Sequence, residues 1–210
     1  MGLFDRNPFL YENLIDLLPR RKVFISYYKG DKDWVKQLVD DYGQPGTGAF
    51  IPRVVGVKDE DDFVDSTDSE YIISQIRKRY IQDTSVTIVV IGQCTHSRKY
   101  VDWEIKSSLR QPANGLPNGL LGLEVPPPFD IYGNVIGHYR PDRFSKNHFF
   151  DLADISYARY YKWPTNSEQL RQWIEEAYNQ SLNKSYLIDN PQEMIWRNLK
   201  CKVHDTTHIY

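Results

Sequence analysis

The run at residues 85–92, SVTIVVIG, constrains the fold more than any other part of this chain. It is nearly all apolar and β-branched, without the polar alternation of a strand that has one wet face. That pattern belongs to a central strand covered on both sides, as in a parallel sheet. A polar turn follows, and then a helix from about 99 to 110 that opens with YVDWE at 100–104. In open α/β sheets ligands bind outside the carboxyl ends of the strands. A helix that starts there delivers one carboxylate, Glu104, to the place where such a fold builds a site.

The rest of the chain supports the same architecture. Residues 21–28, RKVFISYY, form a second apolar strand signal. Gly30 and Asp31 supply a turn and an N-cap for a helix over 33–40. Residues 43–66 carry glycines, prolines and an acidic cluster, and read as a long loop, a candidate lid, broken by one strand at 54–57. Asp68 caps a helix whose apolar positions Ile72, Ile73, Ile76, Tyr80 and Ile81 recur at helical spacing. Residues 119–125 predict a further strand, 155–163 a last one, and a Thr165-x-x-Glu168 capping box opens a helix to about 182. Alternating strands and helices predict a doubly wound, flavodoxin-like α/β fold with an open parallel sheet of four or five strands and helices on both faces. The organisation is an N-terminal extension (1–20), one domain (21–182) with an irregular insertion at about 126–154, and a C-terminal tail (183–210) without clear period.

Composition narrows the function classes. At 210 residues, one α/β domain fits and two would be cramped. Twenty-six basic against 28 acidic residues give a net charge of -2, so neither nucleic acid nor an anionic membrane is expected as a partner. No apolar run approaches a bilayer span, and the N-terminus lacks the order of a signal peptide, so a cytoplasmic protein is expected. Cys94 and Cys201 share no metal-ligand spacing, and the histidines show none either, so neither a disulfide framework nor a metal site is expected.

The predicted crevice holds one carboxylate, hydroxyls and aromatic rings, but no nucleophile-base pair and no glycine-rich phosphate loop. Most glycosidic bonds need two carboxyl groups for cleavage, because the leaving oxygen must be protonated while the oxocarbenium-like sugar is stabilised. Nicotinamide leaves NAD from a pyridinium and needs no proton. One carboxylate near the developing cation could then supply the main electrostatic contribution. On spacing alone, a helix-start acid favoured by the positive N-terminal dipole is the commoner reading of Glu104, and packing is the commoner fate of the aromatics.

Three segments carry a family resemblance. VFISYYKGD (23–31) resembles the first-strand signature of TIR domains, while TSVTIVVIG (84–92) and SRKYVDWEI (97–105) resemble their third strand and catalytic helix. The closer similarity is to the TIR-like group of the Thoeris anti-phage system, the ThsB proteins. It implies an enzyme that consumes NAD as substrate, with no further cofactor, and joins the ADP-ribosyl cation to an internal or external acceptor. The product would be a cyclic or conjugated nucleotide signal that activates a separate effector protein, in response to a trigger such as a phage protein or to self-assembly. By position, Glu104 is the catalytic carboxylate and Tyr100 the aromatic four residues before it. Phe24, Ser26, Tyr27 and Tyr28 match the substrate-contacting strand end, Phe63 and Ser66 the loop over the site, and Thr95 the turn after the third strand. Tyr100 stands where tryptophan is usual, and no cysteine follows it, which leaves the acceptor open. Two other readings remain: a non-catalytic TIR-like interaction module, and a nucleoside deoxyribosyltransferase-like enzyme in which the carboxylate is itself the nucleophile.

Overall fold

The computed structural model describes residues 20–46, 48–53, 67–113, 115–129, 132–149 and 155–204. Five strands, β1 (Lys22–Ser26), β2 (Ile51–Arg53), β3 (Val86–Ile91), β4 (Gly119–Glu124) and β5 (Arg159–Lys162), form one sheet in the order β2-β1-β3-β4-β5. Every pairing is parallel. This is the flavodoxin-like order, with its switch point between β1 and β3. β3 and β4 are buried at every position, the burial expected of apolar runs covered on both faces.

Strand alternation divides the core. Val23 and Ile25 of β1, with Ile88 and Val90 of β3, pack under α1 (Lys32–Tyr42) and α5 (Ser167–Asn183). Phe24 points to the opposite face, into a cluster with Ile72, Ile73 and Ile76 of α2 (Ser69–Ile76) and Trp103 of α3 (Lys99–Leu109). A π-helical turn at Arg77–Ile81 extends α2 and buries Ile81. Close packing accounts for Gly119, where a Cβ would lie 2.1 Å from the Ala177 carbonyl oxygen of α5.

Several local expectations shift. β2 lies at Ile51–Arg53, whereas the strand expected at 54–57 falls outside the described residues, as does most of the expected lid. Asp31 stands at the N-cap position of α1 but makes no side-chain cap bond there. α5 is capped by Asn166, whose side chain accepts from the Gln169 amide, while Gln169 Oε1 accepts from Thr165. The capping pair is thus Asn166 and Gln169, one residue after the predicted box. The 126–154 region contains a short helix, α4 (Asp142–Lys146), and an isolated bridge between Phe129 and Val135.

The C-terminal segment, which has no sequence period, is an ordered strap along α3. Trp103 Nε1 donates to the Ile195 carbonyl (2.8 Å), Lys106 Nζ to the Gln192 carbonyl (2.6 Å), and the Leu199 amide to the Ser97 carbonyl (2.8 Å). The strap also caps α3. Arg98, at its N-cap, makes no side-chain cap bond, and Asn198 Oδ1 instead accepts from the Lys99 amide (3.1 Å).

A buried ion pair joins insertion, helix and strap. Arg143 donates to both oxygens of Asp102 (2.8 and 3.2 Å), and to the Gln192 and Glu193 carbonyls (3.2 and 3.0 Å). Its side chain is only 2% exposed. Removing one partner of such a pair strands the other's charge in the interior. Arg143→Met is therefore expected to lose about 3–5 kcal/mol of stability in urea unfolding. Amide hydrogen exchange over 189–195 should accelerate in the same variant; an unchanged midpoint and unchanged exchange would show that the pair does not hold the strap.

Candidate active site

The switch point puts the ends of β1 and β3 side by side. Ser26 pairs with Val89, two residues before the end of β3, and so lies about 7 Å below the sheet edge. The second turn of α3, running back down the sheet, reaches that depth. There Ser26 Oγ donates to Glu104 Oε2 at 2.6 Å. Ser26 is fully buried, on the same face of β1 as Phe24.

Glu104 keeps part of its surface in contact with solvent, but its carboxyl group is enclosed by protein. Depth rather than accessible area decides the cost of ionising it. Burial pushes its pKa up to about 8, and the Ser26 hydrogen bond, which favours the charged form, offsets only part of that rise. Such a carboxyl is a poor choice for stability alone, and strongly perturbed groups of this kind concentrate at functional sites.

The residues predicted to line the site separate in the structure. Tyr100 lies one turn before Glu104 on α3, edge-on to Trp103 with ring centroids 5.3 Å apart, and packs against the Phe24 cluster. Phe24 is wholly buried beneath the site, so its ring supports the floor and does not face a ligand. Tyr27 faces the opposite side of the sheet, among the residues under α1 and α5. Thr95 is also fully buried and works as a latch: its hydroxyl donates to Asp31 Oδ2 (3.1 Å) and accepts from the Gly92 amide (2.9 Å). Tyr28 stays at the edge, with the Arg98 guanidinium 4.0 Å from its ring centroid. Phe63 and Ser66 lie outside the described residues.

Sequence reasoning missed a second carboxyl group. Asp31 turns away from its helix toward Thr95, and burial raises its pKa to about 6 against the opposing effects of the Thr95 hydrogen bond and Arg98. The signal was Gly92 at the end of β3: a Cβ there would lie 2.2 Å from Asp31 Oδ1. Tyr28, Asp31, Trp34, Gln93, Cys94 and His138 line a cleft of about 480 Å³ at this edge. The fold also assembles Cys94, Cys201 and His204, whose ligand atoms all lie within 4.8 Å of one another. No spacing in the sequence relates these three residues; the strap carries Cys201 and His204 across to the turn after β3.

Residues 24–127 match the TIR-like domain of the Thoeris protein ThsB. The chain is a TIR-like domain protein related to Thoeris ThsB. No curated protein matches it. The match runs from β1 through β4 and so contains Ser26, Tyr100 and Glu104, while β5, α5 and the strap lie beyond it. It supports a TIR-type role in anti-phage defence. Among the described residues, no helix of this TIR-like protein is long and apolar enough to cross a membrane.

The pairing of Ser26 with Glu104 is open to direct measurement. Carbon-13 NMR of the glutamate side chains is expected to show one carboxyl titrating near 8. It should move to higher pH in Ser26→Ala, because the lost donor favoured the charged form. A midpoint in the ordinary range, or no change in the variant, would overturn the assignment.

Proposed function

We propose that this TIR-like protein cleaves the nicotinamide-ribose bond of NAD, with Glu104 as the carboxylate that stabilises the ribosyl cation. The observation that supports this most is the enclosed Glu104 carboxyl, held by Ser26 at the sheet's switch point. In the reaction the glycosidic bond electrons go to the ring nitrogen, the pyridinium leaves as neutral nicotinamide, and positive charge moves to the ribose. A desolvated carboxylate acts on that charge far more strongly than one in water. The cation is then captured by water, with loss of a proton, or by a nucleophile of the adenine or of another acceptor. In an anti-phage setting, the second outcome yields the cyclic or conjugated ADP-ribose signal that activates an effector.

The high pKa of Glu104 fits this role. In the resting protein at neutral pH the carboxyl is largely protonated, which avoids a buried, unpaired anion. NAD brings a pyridinium cation to the site, and a nearby positive charge favours the carboxylate. The substrate itself thus promotes ionisation of the group that acts on it.

Incubation with NAD is expected to release nicotinamide, and Glu104→Gln should lower the rate by about 10²–10³-fold or more, the effect of losing one main electrostatic group. Unchanged release in the variant would end the proposal. Mass analysis of the second product separates hydrolysis from cyclisation and conjugation.

The active form is the ionised one, so activity is lost as pH falls through the raised pKa. The kcat/KM of nicotinamide release should climb with pH to a plateau above about 8, the free-protein value. The limb in kcat should lie lower, because bound substrate favours ionisation. Stability has the opposite slope: between the ordinary glutamate range and about 8 the folded protein holds a proton that the unfolded chain has released, so stability falls as pH rises. Thermal unfolding of Glu104→Gln should lack that decline and be no less stable than wild type at pH 8.

A further inference from the structure

The strap's end converges on the turn after β3, and it does so with metal-binding groups. Cys94 Sγ lies 3.0 Å from His204 Nδ1, and Cys201 Sγ lies 3.8 Å from the same nitrogen. Both cysteines are buried and neither is in a disulfide. In a tetrahedral zinc site with ordinary bond lengths, a sulfur and a nitrogen ligand stand about 3.6 Å apart and two sulfurs about 3.8 Å. The two measured separations bracket the first of these values. Displacements of well under an ångström would bring the nitrogen to ligand distance from both sulfurs.

We infer that Cys94, Cys201 and His204 form a binding site for a thiophilic divalent cation, zinc by the chemistry of the donor set, that clasps the C-terminal strap to the loop leading into α3. Two thiolates and one imidazole suit zinc better than magnesium or calcium, which take oxygen ligands. Two thiolates also neutralise the dication, so the nearby Arg98 guanidinium faces no net charge. Cys94 and His204 both line the 480 Å³ cleft, so water can reach the remaining position of a tetrahedron. Without a cation the Cys94 thiol is held protonated: burial and the neighbouring Cys201 push its pKa up to about 12. Metal binding reverses this balance and releases the thiol protons to solvent.

The position gives the clasp a consequence. The loop it would hold runs from Gln93, whose carbonyl oxygen lies 3.6 Å from Cys201 Sγ, through His96, whose Nε2 accepts from the Lys202 amide (3.1 Å), to the start of α3. The strap's grip on α3 ends there. A cation would therefore fasten the last anchor of the segment that covers the catalytic helix.

The test uses the full chain, reduced with a non-thiol phosphine and titrated with cobalt(II) as a spectroscopic stand-in for zinc. One equivalent is expected to give a thiolate-to-cobalt charge-transfer band, which zinc then bleaches. The band should be lost in Cys94→Ser and in Cys201→Ser, and lost or displaced in His204→Ala, with circular dichroism confirming that each variant is folded. A readout on the unaltered protein accompanies the variants: zinc should protect both cysteines from alkylation, read by mass spectrometry, and raise the unfolding temperature. Absence of the band together with equal alkylation with and without zinc overturns the proposal. So does a reduced protein that binds no cobalt and instead oxidises to a Cys94–Cys201 disulfide.

Discussion

A helix buried around most of its circumference needs more than one face of a sheet to cover it, and α3 is such a helix. Val101, Asp102, Trp103, Ile105, Ser107, Ser108 and Leu109 are all buried. The sheet and α2 cover part of that surface, and the strap from Asp189 to Leu199 covers the rest with hydrogen bonds to Trp103, Lys106 and the Lys99 amide. The buried polar groups of α3 keep their partners through the same contacts, as Asp102 does with Arg143 and with the Ile195 amide. Buried charge is tolerated only with such pairing.

Dehydration of Glu104 follows from this arrangement. A carboxyl on an exposed helix turn would titrate normally and carry little electrostatic force. Here α3 is pressed onto β1 so that the carboxyl meets the Ser26 hydroxyl in an enclosed space, and burial dominates its protonation. The floor beneath is rigid, because Phe24 and the isoleucines of α2 fill it. At the edge above, hydrogen bonds from Thr95 to Asp31 and from the Gly92 amide to Thr95 tie the turn after β3 to the start of α1. Glu104 and Asp31 thus come from opposite sides of the switch point.

Much of this was legible in the sequence, for physical reasons. The apolar runs of β1, β3 and β4 and the helical periods of α2, α3 and α5 announce elements buried on a face, and the parallel sheet follows from their alternation. β2 was not legible, because a short edge strand with a proline and two exposed ends leaves no apolar pattern. Asp31 was misread, since an aspartate before a helix has the same signature whether it caps the helix or turns to a neighbouring loop. The strap was invisible for a different reason. Its hold depends on backbone carbonyls and single side chains, which have no period. Cys94 and His204 lie 110 positions apart, and only the folded strap relates them. The resemblance to TIR domains pointed to Ser26 and Glu104 together; their hydrogen bond is a matter of register and depth that sequence order does not contain.

The central claim is that a single dehydrated carboxylate suffices because the leaving group needs no proton. The most direct measurement is the pair of isotope effects on nicotinamide release from NAD, with deuterium at the ribosyl anomeric carbon and with deuterated solvent. A normal anomeric effect on kcat/KM with no solvent effect, both at pH above the Glu104 titration, is the predicted result. A solvent effect without an anomeric one would mean that proton transfer limits the step, and would contradict the account.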